Sequence, residues 1–130
     1  MEYDLLDVEI GESWPVPISV IHGSRPGPVV TLLGAIHGDE LVGPLALTYL
    51  CGPNFMGPER VIDASSLSGT IRIVPNVNLP GYRRMMRGFP DGRDLNRCFP
   101  GDPDSNTTSR VANKLWSKLL STSEYVADIH

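Results

Sequence analysis

The chain has 130 residues, of which 41% are hydrophobic and 20% charged, and a formal net charge of −4. A chain of this size forms one domain and buries about two-thirds of its extended surface, which excludes a disordered polymer. The acidic balance argues against a nucleic-acid partner, and no apolar stretch approaches bilayer length, which argues against a membrane partner.

The opening residues Met1-Glu2-Tyr3-Asp4 are acidic where a secretory leader would be basic, so the expected location is cytoplasmic. In that reducing compartment Cys51 and Cys98 are expected as buried thiols rather than as a disulfide. Residues 5–10 alternate loosely, and Ile18 to Ile21 form a short apolar run before the turn-rich segment Gly23 to Pro28. Two strands joined by loops are predicted there. Val29 to Ile36 is nearly all apolar, the pattern of a central strand covered on both faces. It runs into Gly34 and Gly38, where glycine lets the backbone turn and approach a ligand.

Leu41 to Cys51 has helical composition, and Pro44, tolerated only in a first turn, places the helix start close to Glu40. Residues 52–68 are rich in Gly, Pro and Ser and read as a long surface connection, followed by a β-branched strand from Thr70 to Pro75. From Asn76 to Asn106 periodicity is lost, and five of the nine arginines (Arg83, Arg84, Arg87, Arg93 and Arg97) fall in this stretch. A segment that long without elements is functional or disordered, and its motif content favours function. Val111, Ala112, Leu115, Leu119 and Leu120 then recur at helical spacing, with Asp104, Ser105 or Thr107 as candidate caps. Tyr125 to Ile129 closes the chain as a strand leading to His130. The succession predicts an α/β fold, a three-layer α/β/α sandwich around a mixed, mostly parallel sheet.

His37 and Glu40 stand three residues apart between the buried strand and the helix, beyond the strand's carboxyl end, where open α/β sheets form ligand sites. An H-x-x-E pair alone recurs by chance, but this position suits two ligands on one face of a metal ion. His130 is the candidate third ligand. It follows a strand, with Asp128 on the same face by the two-residue repeat, and a parallel strand would bring it beside His37. Two histidines and a glutamate leave one tetrahedral zinc position open, the arrangement of a catalytic site. His22, before a Gly-Ser turn, reads as an ordinary strand-end residue. Downstream, Arg93-Asp94-Leu95-Asn96-Arg97 offers guanidinium forks and an amide that can grip a carboxylate.

These motifs occur together in order: H-G-D-E at 37–40, P-N-V-N at 75–78, R-G-F-P-D-G-R-D-L-N-R-C-F-P-G at 87–101, S-R-V-A-N-K-L at 109–115 and V-A-D-I-H at 126–130. Their succession over residues 29–130 resembles the succinylglutamate desuccinylase/aspartoacylase family, which groups with the zinc carboxypeptidase-like hydrolases. The resemblance implies that His37, Glu40 and His130 bind Zn2+ and that Asn96 and Arg97 engage a substrate carboxylate. It also implies that Arg87 polarises the scissile carbonyl and stabilises the oxyanion, with Arg83, Arg84 and Arg93 as alternatives for that role. Asp94 is expected to order the loop by pairing with a neighbouring arginine. The reaction implied is hydrolysis of the amide of an N-acyl amino acid, a small carboxylate-bearing substrate, by a metal-activated water assisted by a glutamate as general base.

That glutamate has no counterpart in this chain, because Glu59 and Glu124 lie in no matching context. The expectation is therefore that residues 1–130 are the amino-terminal portion of a zinc-hydrolase catalytic domain whose remainder is lacking, which leaves a sheet edge open to homo-oligomer formation. A zinc carboxypeptidase or murein-peptide amidase shares the same motifs and is the alternative enzyme. A non-catalytic metal- and ligand-binding module is the alternative of another class.

Overall fold

In the computed structural model residues 2–10, 12–51 and 61–130 are described, with side chains from Val16 onward. The strands are β1 (Glu2–Ile10), β2 (Glu12–His22), β3 (Arg25–Gly34), β4 (Ser68–Val74) and β5 (Tyr125–Ile129), and they form one sheet in the order β1-β2-β4-β3-β5. Pairing is antiparallel for β1 with β2 and β2 with β4, and parallel for β3 with β4 and with β5. The sheet is thus mixed as expected, but half of its pairings are antiparallel where most were expected to be parallel. The short connection between β1 and β2 accounts for the first of these, since it permits only a hairpin. Pro15 and Pro17 lie in the part of β2 that pairs with β1 but not with β4, so each has a ladder on one side only.

Helix α1 (Val42–Cys51) follows β3, α2 (Leu79–Arg84) follows β4, and α3 (Thr107–Lys118) precedes β5. The two-residue repeat of the strands sorts side chains onto two faces. Val16, Ile18, Leu33 and Val74 point to one face and bury Val111, Ala112 and Leu115 of α3, together with Phe89 and Leu95 of the arginine-rich segment. Ile21 and Ile73 point to the other and bury Leu47 of α1, with Leu32, Ile71 and Ile129 packed around them. Three layers result. Fully burying a side chain such as Leu95 or Leu115, both 0% exposed, is worth about 1.5–3 kcal/mol.

Several boundaries differ from the sequence expectation. β3 ends at Gly34 rather than Ile36, because Ala35 takes a left-handed conformation (φ 49°) that breaks the ladder and turns the chain toward His37. α1 begins at Val42, which keeps Pro44 in its first turn as expected. The segment expected to lack elements contains α2 and a 3-10 turn at Leu95–Arg97. Both are too short for a periodic signal, and each is set by a side-chain cap, Asn78 to the amide of Gly81 and Asp94 to that of Asn96. The surface connection expected at 52–68 falls largely on residues 52–60, outside those described. Cys51 and Cys98 are free thiols, half-buried rather than buried. No helix among the described residues is long and apolar enough to cross a membrane.

Polar ties hold the last strand in place. Glu124 receives the Val29 amide on its carboxylate (2.6 Å) and donates its own amide to the Val29 carbonyl (2.9 Å). Thr31 and Ser123 share a hydroxyl hydrogen bond of 2.8 Å, and Arg72 donates to Thr122 Oγ1 at 2.7 Å. These contacts align β5 with β3, with Gly34 opposite Ile129.

Asp91 ties the arginine-rich segment to α3. Its carboxylate accepts from the Thr108 amide (3.0 Å), the Thr108 hydroxyl and the Arg93 amide (3.3 Å). Burial pushes this carboxyl up, but the bonds from Thr108 outweigh it and hold it below the usual aspartate range. A depressed pKa stabilises the fold above the unfolded value of about 3.9, and that contribution is lost as pH falls through the folded value. Asp91→Ala is expected to lower unfolding free energy by about 1 kcal/mol at pH 7, since the group is largely solvated, and by much less near pH 2. Urea denaturation at the two pH values checks this; an equal loss at both would sink it.

Candidate metal centre

β3 and β5 are adjacent and parallel, so their carboxyl ends open side by side. His37 leaves the first three residues beyond Gly34, and His130 follows the second directly. The sheet therefore brings together two residues from distant parts of the chain, with ring centroids 5.1 Å from each other. Glu40 lies between them: one carboxylate oxygen is 2.9 Å from His37 Nδ1, the other 2.8 Å from His130 Nδ1. Candidate ligand atoms, one from each of the three residues, all lie within 4.8 Å of one another. His37 is buried, Glu40 half-buried and His130 exposed, so the cluster is open on the His130 side.

Each imidazole has a carboxylate at both nitrogens. His37 Nε2 lies 3.0 Å from Asp94 Oδ1, and His130 Nε2 lies 2.9 Å from Asp128 Oδ2. A neutral ring carries a single N–H and can donate to one of its two neighbours only. A cation at the Nδ1 side resolves this for both rings at once, with each Nε2–H donating to its aspartate and Glu40 remaining an anion. Two imidazoles and a carboxylate suit Zn2+ with a position left open. The donor set fits that ion.

The electrostatics agree with this arrangement. Burial presses the Glu40 carboxyl upward, but hydrogen bonds with His130 and His37 outweigh it and keep the group below its ordinary value. The bond to Glu40 raises His130 in turn, against partial burial. At Asp94 burial is likewise overcome, by His37 and by the Asn96 amide, and the carboxyl is lowered. Asp128 differs, because burial dominates there and raises it.

The corner itself is held from α2. Asn78, fully buried, accepts from Gly81 N (3.0 Å) and donates from Nδ2 to the carbonyls of Arg87 (3.3 Å) and Ile36 (3.4 Å). Gly38 donates to the Arg87 carbonyl at 3.3 Å, and a Cβ on Gly38 would sit 2.2 Å from the Gly81 carbonyl carbon. No side chain fits between this turn and the α2 backbone, which explains the glycine after His37. Arg87 reaches Glu40 Oε1 at 3.3 Å and Asp94 Oδ2 at 3.6 Å, with its side chain 55% exposed.

Of the residues expected at the site, the structure brings His37, Glu40, His130 and Arg87 together. Asn96 is half-buried beside Asp94, and exposed Arg97 donates to the Asn96 carbonyl at 3.2 Å, so both stand on the turn that Asp94 caps. Asp94 does pair with an arginine, Arg87, as expected, but its contact with His37 was not foreseen. Nor was the Asp128–His130 contact, although the D-x-H spacing placed the two on one strand face. Arg83 and Arg84 are exposed in the last turn of α2. Glu124 is committed to Val29, away from the cluster, and Glu59 lies outside the described residues. His22 contacts Thr70 Oγ1 at 3.3 Å at a strand end.

Comparison with known proteins identifies the relatives. The profile of the succinylglutamate desuccinylase/aspartoacylase catalytic domain matches residues 26–130. The chain is 35% identical over 116 residues to the N-alpha-acetyl-L-2,4-diaminobutyric acid deacetylase of Halomonas elongata, a match over 88% of this chain and 31% of that protein. It superposes on a succinylglutamate desuccinylase/aspartoacylase crystal structure from Rhodobacter sphaeroides with a TM-score of 0.78 and 34% identity, covering 92% of this chain and 34% of that one. A metallo-carboxypeptidase from Burkholderia cenocepacia shares the fold at 18% identity, with a TM-score of 0.68 over 98% of this chain and 36% of its own. The chain thus spans about a third of the length of these relatives. With its motifs in order, its fold shared and its profile matched over most of its length, the chain belongs to the succinylglutamate desuccinylase/aspartoacylase family, a group of hydrolases that includes deacylases.

Proposed function

We propose that this chain carries the metal centre of a zinc-dependent deacylase that cleaves the amide bond of an N-acyl amino acid or a similar small carboxylate-bearing substrate. The observation that carries the reading is the meeting of His37, Glu40 and His130 at the ends of two parallel strands, with both Nδ1 atoms turned to one carboxylate. Zinc bound there supplies Lewis-acid polarisation and lowers the pKa of a water. Around it, Asn96 and Arg97 hold the substrate carboxylate, and this fixes the amide carbonyl in position. Arg87, already facing the cluster, stabilises negative charge developing on the carbonyl oxygen. No general base is identified among the described residues, since Glu40 is the only glutamate at the cluster.

The relation to a deacetylase acting on an acetylated diamino acid supports the substrate class, and the shared carboxypeptidase fold leaves peptides as the alternative. Metal analysis followed by a panel of N-acyl amino acids and C-terminal peptides tests the reading. One zinc per chain is expected, and any release of free amino acid from the acyl amino acids identifies the substrate class. Peptide cleavage alone would move the reading to a carboxypeptidase. Zinc with no hydrolysis would make the chain a binding module, and no zinc would sink the proposal.

A further inference from the structure

Three backbones meet at one point beside the metal centre. Gly43, in the first turn of α1, lies against the end of the β3 and β5 pair, where Gly34 stands opposite Ile129. A Cβ on Gly43 would sit 2.5 Å from the Ile129 carbonyl oxygen and 3.1 Å from Gly34 Cα. A Cβ on Gly34 would sit 2.9 Å from the Gly43 carbonyl carbon, 3.0 Å from Pro44 N and 2.7 Å from the Pro75 carbonyl oxygen. Neither glycine has a positive φ, so a larger residue could adopt either backbone; what is lacking is space. Glycine inside a helix is unfavourable relative to alanine. At Gly43 that cost is the condition for α1 to touch β5.

Each backbone in this contact leads to a candidate ligand. Gly34 precedes His37 by three residues, Gly43 follows Glu40 by three, and Ile129 directly precedes His130. His37 and Glu40 belong to one local turn, in which the Glu40 amide donates to the His37 carbonyl at 3.2 Å. The Leu45 amide, donating to the Leu41 carbonyl at 3.2 Å, carries that run into α1. The spacing of these two ligands is therefore set locally. His130 arrives on another strand: the ladder to β3 aligns it, and how closely α1 approaches β5 fixes its distance from Glu40, 2.8 Å between Nδ1 and Oε2.

We infer that Gly43 is a positioning residue: by letting the first turn of α1 lie directly on the Ile129 carbonyl, it sets the gap across which Glu40 reaches His130 and the three ligands close on one ion. The inference rests on the proposed metal centre for its consequence; the contact of α1 with β5 stands without it. A methyl group at this place meets backbone, which cannot rotate aside, so α1 and β5 must part by nearly an ångström to restore ordinary contact. Binding constellations tolerate displacements of about 0.5 Å. Gly43 touches neither metal nor substrate and acts through the placement of Glu40 relative to His130.

The test compares the parent chain with Gly43→Ala, Gly34→Ala and, as a control, Thr48→Ala at an exposed position of the same helix. In zinc competition against a chromophoric chelator, Gly43→Ala is expected to weaken affinity about tenfold or more, the scale of a lost outer partner, and Thr48→Ala to match the parent. Gly34→Ala, which crowds α1 from the β3 side, carries the same expectation should Gly43→Ala not fold. Cobalt-substituted Gly43→Ala should absorb more weakly in the visible, as His130 leaves the ion and water replaces it, a signature that a merely structural role would not move. In metal-free protein, the NOE between the Glu40 side chain and the His130 ring should fall in Gly43→Ala and persist in Thr48→Ala.

Unchanged zinc affinity and cobalt spectrum in Gly43→Ala would overturn the inference, as would equal losses in Gly43→Ala and Thr48→Ala. Failure of both glycine variants to give a cooperative urea transition would also overturn it, since the contact would then be a requirement of folding. A parent chain that takes up no zinc, but shows the NOE that Gly43→Ala loses, would sink the metal reading and leave the contact standing, so the two failures are distinguishable.

Discussion

Glu40→Ala is expected to remove zinc from the protein. The carboxylate bridges the two imidazoles, at 2.9 and 2.8 Å, and is the only anion among the three candidate ligands. Its loss removes a ligand and, with it, the group that orients both Nδ1 atoms. Changing an outer hydrogen-bond partner costs about tenfold to a hundredfold in metal affinity, and losing a direct ligand should exceed that range. His37→Ala should do the same, because the remaining pair cannot enclose an ion. Elemental analysis after dialysis against dilute zinc measures the effect, with circular dichroism to show that the sheet persists. Equal zinc content in parent and variants would remove the assignment.

The largest expected effect on stability falls on Asn78→Ala. This side chain is fully buried and makes three hydrogen bonds, to the Gly81 amide and to the carbonyls of Ile36 and Arg87. Truncation leaves those backbone groups short of a partner in the interior and opens a small void. Each buried unsatisfied group costs about 1–3 kcal/mol, but two of the three bonds are long, so a total of about 2–4 kcal/mol is expected. The damage is also local to function: the same side chain joins the turn before His37 to the segment bearing Arg87. Urea unfolding measures the loss, and a change below about 0.5 kcal/mol would show that α2 is held by other contacts. Asn78→Asp keeps the acceptor for Gly81 but turns a buried carboxylate toward the Ile36 and Arg87 carbonyls, and should destabilise at least as much as the alanine variant.

Legibility in the sequence followed the range of the interactions involved. The apolar run from Val29 onward marked β3, and the helical spacing of Val111, Ala112 and Leu115 marked the buried face of α3, because burial writes itself into a periodic pattern. α2 and the 3-10 turn at Leu95–Arg97 escaped that reading, since six and three residues complete too few turns to show a period. Asn78 and Asp94, which cap them, are ordinary polar residues in a chain rich in them. Pro15 and Pro17 would argue against a strand by themselves, and only the sheet order explains why β2 tolerates them.

By itself the sequence determined the chemistry available at the centre: two histidines and a glutamate at element ends, an arginine-rich segment between, and an ordered set of motifs shared with one hydrolase family. It also determined that β3 would be a covered strand and that His37 and Glu40 would stand where it turns. The tertiary structure decided which aspartate serves which histidine. Asp94 reaches His37 because the loop that carries it folds back through the Phe89 and Leu95 packing, and Asp128 reaches His130 along β5. It also decided that His130 joins the other two, since β5 pairs with β3 rather than with β4. Strand order is a non-local choice, settled by which faces bury together and which edges find partners, and no window of sequence contains it.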